Sequence, residues 1–144
     1  MKEQNYSNHH RYVPGFHFVL LFFCIVIFAG SVFFLIRSFM HEIERVSALI
    51  TVFISLSLLL FFIYVRQFAL KAQDRAIRAE ENLRYFALTG KLFDSRLSMK
   101  QIIALRFASD LEFTELVNRA IAENLSNDEI KKAIKSWRPD YNRA

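Results

Sequence analysis

Residues 16–36 read FHFVLLFFCIVIFAGSVFFLI, and residues 46–65 read VSALITVFISLSLLLFFIYV. These two runs decide the fold. Residues 18–36 carry no charged side chain. At the helical rise that run is roughly 28 Å long, close to the hydrocarbon thickness of a bilayer. The first run holds seven Phe and nine Val, Leu or Ile, and the second holds fourteen Val, Leu, Ile or Phe. At roughly −0.3 to −0.6 kcal/mol each near the bilayer centre, insertion is favoured by several kcal/mol. A buried helix in so small a soluble protein would need a polar face, and neither run has one. Both read as transmembrane helices. Ala29-Gly30-Ser31 resembles a signal-peptidase site, but the apolar run continues to Ile36 behind a barely basic N-terminus, so an uncleaved anchor is expected.

Charge sets the expected orientation. The connector, residues 37–45, carries two basic and two acidic residues, whereas Arg66, Lys71, Arg75, Arg78 and Arg84 follow the second run. Lys2 and Arg11 precede the first. The positive-inside rule therefore places both termini in the cytoplasm and the connector outside. Tyr12, His17 and Tyr64 fall at the expected cytoplasmic boundary, a depth that amphipathic rings favour. Gly30 faces the depth of Thr51, and Ser47, Thr51 and Ser55 recur every four residues. Small and hydroxyl residues let helices approach and bond, so these four are expected to form the contact of a helical hairpin. Neither run contains an internal ionisable residue to mark an ion path, which disfavours a channel or transporter.

Residues 66–88 contain no Gly or Pro and are rich in Ala, Glu, Gln, Arg and Leu. The second helix is expected to run on through them as a stalk. Ala69, Ala72, Ala76, Ala79, Leu83 and Phe86 are spaced 3, 4, 3, 4 and 3, an a/d seam for self-association or for a partner helix. Thr89-Gly90 ends the helix, with Gly90 as a left-handed cap.

Three capping boxes follow: Ser98 with Gln101, Ser109 with Glu112, and Ser126 with Glu129. They predict helices over roughly 99–107, 110–123 and 127–137. Asn124 closes the second and Arg138-Pro139 the third. Ile102, Ile103, Leu105 and Phe107, then Phe113, Leu116, Val117, Ala120 and Ile121, then Ile130, Ala133, Ile134 and Trp137 fit one core. About 40 residues is marginal for an independent fold, so the module should lean on its stalk, a second copy, the membrane surface or a partner.

The function classes left are few. A single cysteine, Cys24, makes no intrachain disulfide and no multi-cysteine zinc site. His9, His10 and His17 lack a carboxylate or cysteine cluster to complete a metal site. Asp110, Glu112 and Glu115 lie near a helix start, where acids suit the dipole. No nucleophile–base pair and no phosphate loop is evident. No enzyme activity, metal, cofactor or small-molecule substrate is therefore expected. The net charge is +5, with 15 of 19 Lys and Arg in residues 66–144 against 11 acids there. Lys131, Lys132, Lys135 and Arg138 form a basic end, Lys131 and Lys135 sharing one face of the predicted helix, that would suit anionic lipid or, as a helix-turn-helix, nucleic acid. Asp128 and Glu129 at that helix start would repel phosphates, so nucleic acid is disfavoured.

Glu3-Gln4-Asn5-Tyr6 with His9 and Pro14, residues 79–86, Asp94-Ser95-Arg96-Leu97, residues 101–110 and residues 124–138 carry a resemblance over nearly the whole chain. The chain resembles a family of small bacterial membrane proteins of unknown function, mostly from Bacteroidota. The resemblance implies a bacterial inner-membrane protein and brings no activity or functional residue with it.

The expected fold is all-α: an N-terminal segment 1–15, a membrane helix 16–36, the external connector 37–45, a membrane helix 46–65, a cytoplasmic stalk 66–90 and a three-helix module 91–144. The expected role is a non-enzymatic inner-membrane anchor that contacts the lipid bilayer and presents a cytoplasmic interaction or oligomerisation module, with Trp137 as a core or contact anchor.

Overall fold

The computed structural model describes residues 5–8, 13–41 and 44–140. His9, His10 and Tyr12 lie outside the described residues. The described elements are helical. A π-helical turn, Gly15–Leu20, leads into α1 (Leu21–His41). Then come α2 (Arg45–Thr89), α3 (Met99–Leu105), α4 (Asp110–Ala122) and α5 (Asn127–Ala133). Two compact units result: Arg11–Phe68, and Met1–His10 together with Ala69–Ala144.

In the first unit, α1 runs past Ile36 to His41, through residues that the sequence placed in the connector. Nothing in Arg37-Ser38-Phe39-Met40 breaks a helix, and Ser38 is buried. The turn comes at Glu44, whose φ of 47° is left-handed. The buried residues of α1 are Cys24, Ser31 and Ser38, seven apart. On the part of α2 that belongs to this unit, residues 45–68, they are Ala48 and Ser55, also seven apart. Ser31 Oγ lies 2.8 Å from Ser55 Oγ, and Phe16 stacks on Phe62 with centroids 4.6 Å apart. The helices thus meet along a heptad seam of small residues.

That seam corrects the expected one. Of Gly30, Ser47, Thr51 and Ser55, only Ser55 is buried. Gly30 has open space where a Cβ would stand. Thr51 turns its hydroxyl back onto Ser47 O at 2.8 Å. Steps of four residues precess by about 40° around a helix, so Ser47 lies about 80° from Ser55 and drifts away from the contact line. Steps of seven drift only about 20°.

In the second unit, α3, α4 and α5 pack around Ile102, Leu105, Phe107, Phe113, Val117 and Ile130, all essentially inaccessible. The later part of α2 adds Ile77, and Tyr85 packs against the same cluster. The module therefore leans on its own stalk. Ser98 and Ser126 form full capping boxes with Gln101 and Glu129. Gln101 does more: its Nε2 donates to Leu125 O at 2.9 Å, tying α3 to the end of α4. Asn124, with φ of 49°, closes α4, and Leu125 N donates back to Ala120 O at 3.2 Å. Gly90, with φ of 71°, ends α2.

Two expectations fail here. Ser109 makes no side-chain cap, and its buried hydroxyl has no hydrogen-bond partner among the described residues. Its intended mate, Glu112, instead accepts from Lys135 N at 3.0 Å and Ser136 N at 2.9 Å. The last helix consequently stops at Ala133, not 137, and Ile134 is extended. The chain then runs beside residues 107–109: Ser109 N donates to Ser136 O at 3.0 Å and Arg138 N to Phe107 O at 2.7 Å. Trp137 reaches the core from this extended segment, 5.2 Å from the Phe107 ring.

Candidate functional site

The second half of α2 has one side committed to its own unit and one side bare. Arg84 is the lock on the committed side. Its Nε donates to Asp110 Oδ1 at 2.7 Å, its Nη1 to Glu81 Oε2 at 2.9 Å, and its Nη2 to Ala108 O at 2.7 Å. The guanidinium also lies 4.0 Å from the Phe113 ring centroid. Asn82 Oδ1 accepts from Phe93 N at 2.8 Å, and Phe93 stacks on Tyr85 at 5.0 Å. Glu81 is buried, and desolvation raises its pKa. The Arg84 bond and the charges of Arg84 and Arg138 partly offset that rise.

Sequence reading counted Arg84 only as a flanking charge, and it missed Glu81, Asn82 and Phe93. The available signal was the Glu81–Arg84 spacing of three on the face away from the alanines. Asp110 and Glu112, read as dipole complements, are instead the partners that join α4 to Arg84 and to residues 135–136.

The bare side holds the whole predicted seam. Ala69, Ala72, Ala76 and Ala79 are exposed, Leu83 is 68% exposed and Phe86 49%. The six residues share one face, opposite Ile77, Glu81 and Arg84. Arg75 and Glu80 flank them and are exposed.

The basic end is dispersed. Because α5 stops at Ala133, Lys135 and Arg138 are off the helix and do not continue the face of Lys131. Lys132 lies over the Tyr6 ring at 5.7 Å. Arg138 Nη1 is 3.7 Å from Glu81 Oε1. The predicted single basic helical face is thus corrected to separate cations, with Lys132 against an aromatic ring and Arg138 near an acid.

The described helices Gly15–His41 and Arg45–Thr89 are long and apolar enough to cross a membrane. A model of a family of unknown function, DUF6526, matches residues 1–144. The chain belongs to that family. No curated protein and no solved structure matches it. For this DUF6526 member the site therefore rests on geometry: an exposed apolar face on a helix whose opposite face is locked to a small module.

Proposed function

We propose that the protein is a non-enzymatic membrane anchor. In this reading α1 and the first part of α2 form an antiparallel hairpin across a bacterial inner membrane, with both termini cytoplasmic. The later part of α2 and its module then form a cytoplasmic interaction surface. The order of the contacts, Phe16 with Phe62 and Ser31 with Ser55, supports the antiparallel pairing.

The observation that carries the reading is how the first unit treats polar and apolar groups. Phe33 and Phe53 are each 66% exposed and Phe61 67%, a band of side chains that water would not tolerate. Meanwhile the hydroxyls of Ser31, Thr51, Ser55 and Ser57 find partners within the helices. Ser31 donates to Phe28 O at 2.7 Å, Ser55 to Val52 O at 2.8 Å, and Ser57 to Phe53 O at 2.8 Å. Hydrocarbon demands that combination, since an unsatisfied polar group there costs several kcal/mol.

Alkaline carbonate extraction of membranes from cells making the full chain tests the anchor. Retention in the pellet is expected. Release into the supernatant would contradict it.

A further inference from the structure

We propose that the exposed face of α2 from Ala69 to Phe86 is a parallel two-helix interface with a second copy of this chain. The proposal rests on the membrane reading above. Three observations converge on it. First, α2 is used on one side only: Ile77, Glu81 and Arg84 are engaged by the chain's own module, while the 3-4-3-4-3 face is bare. Second, the face ends in two large apolar side chains, Leu83 and Phe86, at 68% and 49% exposure. A merely solvated face has no need of them.

The third observation selects the occupant. With the alanines at a and d, Arg75 falls at g and Glu80 at the following e. In a parallel pair, g of one helix meets e of the other five residues on. Arg75 then faces Glu80 of the second copy, and symmetry makes the pair twice. The next such pairing, Asn82 with Ala87, brings no like charges together. An antiparallel pair sets e against e and can oppose Glu80 to its own copy. Charge therefore favours the parallel arrangement, and copies inserted in one membrane with one topology are already parallel. Alanine seams bury little area. Confinement to the membrane supplies the effective concentration that so narrow a contact needs.

The test uses the full chain in native membranes, with Cys24→Ala removing the one native thiol. Ala76→Cys is compared with Arg78→Cys, an exposed position off the seam, under a mild added oxidant. A parallel seam brings the two copies of position 76 within disulfide reach, so Ala76→Cys should give several-fold more dimer than Arg78→Cys. Adding Arg75→Glu should lower that yield several-fold, and adding Glu80→Arg to the same chain should restore it. Equal yields at 76 and 78, or no recovery with the swapped charges, would overturn the interface. A foreign protein captured at position 76 in place of the second copy would overturn the occupant. Carbonate extraction of the same membranes separates the two failures. Retained protein without dimer defeats this inference alone, whereas released protein defeats the membrane reading and this inference with it.

Discussion

Ser31 and Ser55 each lie within hydrogen-bond reach of the other's hydroxyl and of a carbonyl of their own helix, and their two protons make two of these three bonds at a time. Losing the partner across the seam therefore leaves no orphaned hydroxyl. Ser55→Ala should cost less than about 1 kcal/mol, whereas Ser55→Leu should force the helices apart. Detergent unfolding followed by circular dichroism would show the contrast, and equal effects would contradict it. Glu81 makes a different prediction. Its pKa is raised above 4.5 mainly by burial, so the folded state binds more protons than the unfolded one just above that value. Stability should fall as pH rises from 4.5 through the folded pKa, and Glu81→Gln should flatten that slope. Asp94, held at about 2 against an ordinary 3.8 by bonds from the Arg96 side chain and backbone, acts oppositely. Its contribution is present above 3.8 and disappears as pH falls toward 2. Melting temperature against pH, for the parent and Glu81→Gln, checks the Glu81 slope. At this scale the sequence was only half legible. The heptad Cys24, Ser31, Ser38 stood in plain view, but the hydroxyls of Ser47 and Thr51 drew attention to a four-residue step that turns off the interface.

Helix ends were read well where the cap is local. Ser98 and Ser126 cap as expected because both members of each box sit three residues apart and have no competitor. Ser109 had the same spelling and failed, since Glu112 is drawn to two backbone amides 23 and 24 residues away. No local pattern reveals such a competitor. Ser98→Ala and Ser126→Ala should each destabilise the module by about 1 kcal/mol, and Ser109→Ala by much less. Glu112→Ala should free the backbone of Lys135 and Ser136 at a cost of about 1 kcal/mol and loosen Trp137. Denaturant titration and Trp137 fluorescence measure both. The two apolar helices were legible because their signal is summed over some twenty residues and survives any single error. The end of α5 was not, because Ile134 leaves the helix for a tertiary pairing with residues 107–109.

As a whole chain, the protein divides its resources between an apolar unit and a small module that borrows part of its core from α2. A fragment spanning 91–144 lacks Ile77, Tyr85 and the Arg84 lock and should show little cooperative unfolding, while 69–144 should fold. Circular dichroism melts of the two fragments decide this, and equal melts would contradict the borrowed core. That Ala69, Ala72, Ala76, Ala79, Leu83 and Phe86 share one face of α2 was legible from spacing alone. Its availability was not, because only the packing of α3 to α5 shows which side of α2 they take.

The central claim is that α1 and α2 cross a membrane and leave the module in the cytoplasm. Labelling intact cells with a membrane-impermeant maleimide tests it most directly, in a Cys24→Ala chain carrying either His41→Cys or Asn118→Cys. Both positions are exposed, the first at the end of α1 and the second on α4. The account predicts labelling at 41 in intact cells and at 118 only after lysis. Labelling of 118 in intact cells, or protection of 41 until lysis, would contradict it.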